Sequence, residues 1–271
     1  MKKVWIIVRK EWRDVFRDKM ILLTSLLLPL LFIAMPVGII YFMERAPKTS
    51  GSGLPPDVNV PSGFEHLMRR PEFAGMNPLA VVEILMVNQF LFYFLMIPLM
   101  IPMFVAVYSI VGEKQQRSLE PLLATPLSVW QLLAGKTLAG VIPAMLITWI
   151  SFGIAALGLA LVARPEVAAI MASPMWLLAM LILAPLLTIT AVVVAVIISS
   201  RVNDIRLAEQ LGGLLVLPLV GLMIPVMMGK LLVSVAMFAI GSAIVALLDI
   251  VLLYLGVKLF QRETILIRWS R

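Results

Sequence analysis

Six long stretches without a charged residue dominate this sequence and limit what it can fold into. They cover residues 20–43, 84–112, 137–163, 167–200, 210–229 and 231–257, the last of which contains only Asp249. The hydrocarbon core of a bilayer is about 30 Å thick, so a helix rising about 1.5 Å per residue needs about 20 apolar residues to cross it. Because all six stretches are long enough, the sequence predicts an all-α membrane protein with six transmembrane helices.

Composition excludes the main soluble alternatives. Hydrophobic residues make up 62% of the chain and charged residues only 14%, whereas soluble domains have about 45–50% and about 25%. An ordinary soluble enzyme would need far more polar surface than this chain supplies. The absence of cysteine from the sequence also excludes a disulfide framework and thiolate metal sites.

We expect a single transmembrane domain over residues 1–271. Its predicted spans are about 20–43, 84–110, 137–163, 175–200, 211–229 and 231–257. The fifth is the least regular, since it is rich in glycine and proline, and a short span followed by a re-entrant turn is an alternative for it. Residues 44–82 are predicted to form a long external loop.

Basic residues indicate the orientation of these spans. Sixteen lysines and arginines lie in the connections 1–19, 111–136, 201–210 and 258–271, and six lie in the alternate connections. Cytoplasmic loops carry the excess of basic residues in membrane proteins. We therefore expect a multi-pass protein of the cell membrane with both termini, including the tail 258–271, in the cytoplasm. The basic residues form no single patch, so no nucleic-acid partner is expected.

Residues 1–19 have the pattern of an amphipathic helix. Trp5, Val8, Trp12, Val15 and Phe16 fall on one helical stripe, and basic residues occupy the rest of the surface. An apolar stripe opposite a basic face is typical of a helix that lies in the membrane interface. A basic tail that serves only to orient the first span is the alternative.

The motifs of common catalytic sites are missing from the sequence. Gly135-Lys136-Thr137 resembles the end of a phosphate-binding loop, but Trp130 stands where that motif needs its first glycine. The single histidine, His66, lies in the predicted external loop, and Asp249 is the one aspartate within a span. We therefore expect no catalytic residue, cofactor site or metal site on this chain.

Three polar residues within the predicted spans are candidates for a transport path. Asp249 has an ionisable group, which is costly in a membrane unless it is paired or faces water, and Asn88 and Gln89 lie together in the second span. A transport-path or coupling-ion role is one interpretation of Asp249. We favour the other, in which all three make hydrogen bonds that fix the packing of the helices.

The predicted cytoplasmic segment 111–131 begins with polar residues and ends with apolar ones. Ser118 is suited to cap a short helix with Glu120 in its first turn, and Leu119, Leu122 and Leu123 give that helix an apolar face. A protein partner would bury this face. A short amphipathic helix resting on the lipid surface explains the same pattern equally well.

The sequence resembles the permease subunits of ABC-2 type exporters, especially the branch of sodium and drug efflux permeases. Three regions support the resemblance: Lys10 to Pro29, Glu113 to Pro126, and Phe260 to Leu266. The middle region is the most specific, with Glu113, Ser118-Leu119-Glu120, Leu122-Leu123 and Thr125-Pro126 matching the family pattern. Many members have glycine where Gln116 or Arg117 stands here.

This resemblance implies a coupling helix between spans two and three that contacts a separate ATPase. It implies ATPase-coupling roles for Glu113, Arg117, Ser118, Leu119, Glu120, Leu122, Leu123, Thr125 and Pro126. It also implies a second permease chain, ATPase subunits that hold ATP and magnesium, and outward transport by alternating access. A non-transporting membrane anchor that docks a partner through 113–126 is the alternative, and ATP-dependent flux in vesicles separates the two.

Overall fold

The computed structural model describes residues 2–17, 19–46, 73, 75–115, 129–227 and 233–259. Within these residues the chain is helical apart from short turns, and no strand occurs. Ten α-helices are described: α1 (Lys2–Arg17), α2 (Lys19–Arg45), α3 (Pro78–Gln115), α4 (Val129–Val162), α5 (Pro165–Ala168), α6 (Pro174–Leu178), α7 (Ala184–Arg201), α8 (Ile205–Gly213), α9 (Leu217–Met227) and α10 (Val235–Leu259).

Shorter helical turns connect some of these helices. A 3₁₀ turn, Ala169–Ala172, joins α5 to the residue before α6, and another, Leu214–Val216, joins α8 to α9. A π-helical segment, Ala179–Leu183, lies between α6 and α7. These turns make the fourth and fifth apolar stretches less regular than the second and third.

Six helical stretches are long and apolar enough to cross a membrane, which confirms the prediction of an all-α protein with six spans. They are Ser25–Arg45, Pro78–Ser109, Ala134–Val162, Pro165–Arg201, Ile205–Met227 and Val235–Leu255. We number them as spans one to six in chain order. The fifth consists of two helices with a 3₁₀ turn between them, and the fourth is interrupted more often, by a 3₁₀ turn and a π-helical segment.

Helices α3, α4 and α8 begin earlier than the uncharged stretches indicate, and side-chain caps are seen at two of these starts. The helix of span two starts at Pro78, within the predicted loop 44–82, and α8 starts at Ile205, within the predicted connection 201–210. Side-chain caps explain both starts. The Asn77 side chain accepts a hydrogen bond from the backbone N–H of Leu79, and that of Asp204 accepts two from the following turn. Charge counts alone do not detect such caps.

Span two forms the centre of the bundle. Its apolar window is 78% buried, against 22% for span one and 17% for span six. Helix α3 packs against α2, α4 and α7, and its large side chains, including Phe92, Phe94 and Leu95, are almost fully buried. Any displacement of α3 therefore affects three neighbouring helices at once.

A buried tryptophan fixes the start of span four against this centre. The indole Nε1 of Trp176 donates a hydrogen bond to the side-chain oxygen of Asn88 at 3.1 Å, and its ring stacks on Phe152. Ser173 stands at the N-cap position before Pro174. Its hydroxyl does not make the expected capping bond, however. The tertiary contacts of Trp176 thus position this helix without a side-chain cap.

Spans one and three approach each other closely at a glycine. A Cβ atom built on Gly158 of α4 would lie 2.9 Å from Cγ2 of Val37 in α2, whereas one on Gly153 meets nothing within 4 Å. A contact of 2.9 Å is too short for two carbon atoms, and Val37 has little rotamer freedom in a helix. Only the missing side chain of Gly158 allows this crossing.

We predict opposite effects of alanine at these two glycines. Gly158→Ala should destabilise the protein by about 1–3 kcal/mol, because the added methyl overpacks the crossing. Gly153→Ala should stabilise it by about 0.5–1 kcal/mol through helix propensity alone. Thermal unfolding of the purified protein in detergent measures both, and equal effects of the two variants would contradict the observed crossing.

Candidate functional site

Helix α1 packs across one end of the bundle, where α3 ends and α4 begins. We call this end the base; it comprises α1, the last turns of α3 and the first turns of α4. Ile7 and Val8 of α1 are buried there. A Cβ atom on Gly135 of α4 would lie 2.8 Å from Cβ of Ile7, so the glycine admits α1 into direct contact with α4.

Three polar side chains form a buried cluster within the base. The Lys136 ammonium donates hydrogen bonds to Oε1 of Glu11 at 3.0 Å and to the Ser109 hydroxyl at 2.7 Å. The side chains of Lys136 and Glu11 are each only 4% exposed. Glu11, Ser109 and Lys136, the base cluster, therefore join α1, α3 and α4 by one set of polar contacts.

The electrostatics of the cluster favour an ionised Glu11. Burial alone raises the pKa of this carboxyl, but the Lys136 charge, a hydrogen bond to Ser109 and the more distant Lys10 together lower the pKa of Glu11 below its ordinary value. A buried carboxylate that stays charged needs such a partner, since an unpaired charge away from water is very costly. The stability of the folded state therefore depends on the ion pair between Glu11 and Lys136.

A second polar contact fixes the direction of α1 along α4. The indole Nε1 of Trp12 donates a hydrogen bond to the backbone carbonyl of Ala139 at 3.0 Å. The ring of Trp5 meets that of Trp12 edge to face at 5.8 Å, and Trp5 itself is 55% exposed. Of the predicted apolar stripe, Val8 and Trp12 thus contact the bundle, while Trp5 lies on the outer side.

The base cluster lies at the root of the predicted coupling segment. Ser109 precedes the end of α3 at Gln115, and Lys136 follows the start of α4 at Val129. Most of the residues assigned to coupling lie between these two helices and outside the described residues: Arg117, Ser118, Leu119, Glu120, Leu122, Leu123, Thr125 and Pro126. The backbone of Glu113 belongs to the last turn of α3.

Another ion pair lies at the opposite end of the bundle. Arg164, between α4 and α5, donates a hydrogen bond from Nε to Oε1 of Glu44 at 2.6 Å. This hydrogen bond, with the charges of Glu44, Glu83 and Glu166, raises the pKa of Arg164. The pair joins the end of span one to the turn between spans three and four. Each end of the bundle therefore has an ion pair that links helices distant in sequence.

The polar residues predicted within the spans do not meet at one site. Asn88 of α3 bonds to Trp176 in α6, whereas Oδ1 of Asp249 in α10 lies 2.5 Å from the hydroxyl oxygen of Thr190 in α7. Gln89, beside Asn88, is half-buried. Two of the three residues thus make contacts between helices, at different places in the bundle.

Sequence reasoning missed the base cluster, although one signal pointed to it. Lys136 drew attention only as the end of an incomplete phosphate-binding loop. In the structure its ammonium donates hydrogen bonds to Glu11 and Ser109. These bonds stabilise the fold, which is a different role from binding a phosphate. Lys136 adjoins a long apolar stretch, and a lysine buried at such a place would need an acidic partner. Glu11 lies on the apolar side of α1. Pairing the two requires knowledge that α1 packs on α4.

Comparison with known families gives one match. The sequence model described as "ABC-2 family transporter protein" matches residues 5–255, which include most of α1, all six candidate spans and most of α10. No curated protein is significantly similar to the chain.

We predict that breaking the base cluster on one side destabilises the fold strongly. Lys136→Met removes the only buried charge that pairs with the buried Glu11 carboxylate among the described residues, and breaking a buried ion pair on one side typically costs about 3–5 kcal/mol. The double change Glu11→Leu with Lys136→Met removes both charges and should recover most of this loss. Thermal unfolding in detergent is the measurement.

Lys10→Met provides the matched control for this prediction. Lys10 lies 3.7 Å from the same carboxylate but is 43% exposed, and exposed ion pairs contribute about 0–1 kcal/mol. If Lys136→Met were no more destabilising than Lys10→Met, the buried pair would not have the role that its geometry indicates.

Proposed function

Because the chain belongs to the ABC-2 transporter family, we propose that it is the permease subunit of an ATP-driven exporter and binds separate ATPase subunits at its base. The observation that supports this best is the base cluster. It links the two helices that enclose segment 116–128 to each other and to α1. A force applied to that segment would therefore act on α1, α3 and α4 as a unit.

The packing of α3 gives this force a route into the membrane. Helix α3 runs from Pro78 to Gln115 and contacts α2, α4 and α7 along its length. Buried, close-packed side chains transmit displacement because they cannot be compressed. Movement at the end of α3 would thus reach spans one, three and four, as alternating access requires.

The chemistry of ATP hydrolysis would belong to the partner subunits. These subunits would hold ATP and magnesium and cleave the terminal phosphoanhydride bond. The segment Gly135-Lys136-Thr137, which resembles the end of a phosphate-binding loop, has a structural role instead. The Lys136 side chain is buried and bonded to Glu11 and Ser109. The permease would contribute the docking surface, the mechanical link and, together with a second permease chain, the path for the cargo.

Charge at the base supports its location in the cytoplasm. The side chains of Arg9, Lys10 and Arg13 on α1 are exposed, and basic residues are enriched on the cytoplasmic side of membrane proteins. In this orientation, segment 116–128 faces a cytoplasmic ATPase and Arg164 faces outward. Both termini would lie in the cytoplasm.

We predict the side of three positions by cysteine labelling in intact cells. A cysteine replacing Ser52 should react with a membrane-impermeant maleimide from outside, while cysteines replacing Gln115 or Ser270 should react only after the cells are opened. The parent chain contains no cysteine and is therefore the natural background control. Labelling at position 115 from outside would contradict the orientation.

We also predict that the coupling segment determines ATPase binding. Glu120→Lys or Leu122→Asp should weaken binding by about 2 kcal/mol or more, about thirtyfold in affinity, because central interface anchors contribute on this scale. The measurement is the magnesium-dependent ATP hydrolysis that co-purifies with tagged permease from its native membrane. Mass spectrometry identifies the bound subunit by peptides of its phosphate-binding loop.

Arg206→Glu is the matched control, since Arg206 is an exposed charge in α8, in the other predicted cytoplasmic connection. It should retain most of the co-purifying activity. Normal ATPase binding by both segment variants would refute the assignment and favour a helix that rests on the lipid surface.

A further inference from the structure

Asp249 lies within span six and is almost completely buried. Its residue is 4% exposed, and it occupies helix α10 between apolar neighbours. One carboxyl oxygen, Oδ1, lies 2.5 Å from the hydroxyl oxygen of Thr190 in α7. The other, Oδ2, is buried and has no hydrogen-bond partner among the described residues. An ionised carboxylate would thus have one hydrogen bond where water would supply several.

The Thr190 hydroxyl has two neighbours that accept hydrogen bonds. Its oxygen lies 3.1 Å from the backbone carbonyl of Leu186 in the same helix and 2.5 Å from Oδ1 of Asp249. A threonine hydroxyl has one hydrogen but also accepts. If Asp249 carries a proton, that proton can be donated to Thr190, and the Thr190 hydrogen can then be donated to Leu186. This arrangement satisfies both contacts, whereas an ionised carboxylate satisfies only one.

The helices around Asp249 supply no charge to balance an ionised carboxylate. Helix α10 packs against α6, the π-helical segment and α7, whose one charged residue is Arg201 at the end of α7, eleven residues after Thr190 and about 16 Å away along the helix axis. On α10 itself the nearest charged residue is Lys258, about 13 Å away along the helix axis. A lone carboxylate in such surroundings is strongly disfavoured.

We propose that Asp249 is a proton-binding site: the carboxyl is neutral in the folded protein and donates its proton to Thr190, which joins span six to span four. The apolar window of span six is only 17% buried, so this polar contact is a large part of what orients α10. Ser242, one heptad earlier on α10, bonds to its own helix at Phe238 and makes no such link. Release of the proton would place a charge in the contact and weaken the docking of α10 on α7.

This proposal does not depend on an ATPase partner, and its test uses the permease alone in lipid nanodiscs at neutral pH. Infrared spectroscopy separates the C=O stretch of a protonated carboxyl from the bands of carboxylates. Asp249→Asn should remove one protonated-carboxyl band. Thr190→Val should shift that band to higher wavenumber, since the donated hydrogen bond is lost.

Glu83→Gln serves as the control for these spectra, because Glu83 is also a fully buried carboxyl but lies in α3. It should leave the band that responds to Thr190→Val in place. Loss of a carboxylate band in Asp249→Asn, with no change among the protonated-carboxyl bands, would overturn the proposal.

Thermal unfolding across pH tests the link between the proton and helix docking. The folded state holds this proton and the unfolded chain releases it to water, so the contribution of Asp249 to stability should fall as pH rises. Asp249→Asn retains an N–H donor for Thr190 without a proton to lose, and should remove this part of the pH dependence. An unchanged pH dependence in this variant would show that proton binding at Asp249 does not control the contact.

Discussion

The hydrocarbon interior of the bilayer offers no hydrogen-bond partners, and this constraint governs the whole structure. Each backbone polar group in a span must be satisfied within the protein, which allows helices and excludes open strands. Polar side chains follow the same rule. Thr148 and Ser242 donate their hydroxyl hydrogens to carbonyls one turn earlier in their own helices. The polar groups that instead reach another helix are few, and they determine how the helices are arranged.

These contacts between helices have different positions and different consequences. At the base, Glu11 and Lys136 form a buried ion pair that joins α1 to α4; at the opposite end, Glu44 and Arg164 form a partly exposed one. Between them, neutral hydrogen bonds hold Trp176 to Asn88. Apolar packing alone would leave the helices free to slide, since lipid tails compete for the same surfaces. The polar contacts therefore fix the positions of the helices along one another, and the apolar contacts provide most of the buried surface area.

The number and type of the spans follow from the sequence because hydrophobic length is a local property. The uncharged stretches predict six helices, and six candidate spans are found. Properties that depend on contacts between distant segments are not local and were missed. No pattern near Glu11 identifies Lys136 as its partner, and no pattern near Gly158 identifies Val37.

The true starts of α3 and α8 escape a charge count for a related reason. Asn77 and Asp204 cap these helices through single side chains, which a count of charged residues ignores. The coupling residues from Arg117 to Pro126 lie outside the described residues, and their roles remain predictions.

The π-helical segment Ala179–Leu183 has a consequence for how the gene can vary. A π turn holds one more residue than the α-helical turn it replaces, and each residue rotates a helix by about 100°. Because the π turn takes up the extra residue within a single turn, the face of span four that presents Trp176 to α3 and the face that presents Thr190 to α10 keep about the relation that a regular helix would give them. Trp149 of α4 occupies this turn by donating its indole N–H to the carbonyl of Met180. Deletion of one codon here would restore a regular helix and keep the reading frame with little rotation of the second half of the span, whereas a deletion within the regular helix α7 would rotate all that follows by about 100°. Span four can thus change its length by one residue at this turn with less disturbance of its contacts than in the regular helix that follows it.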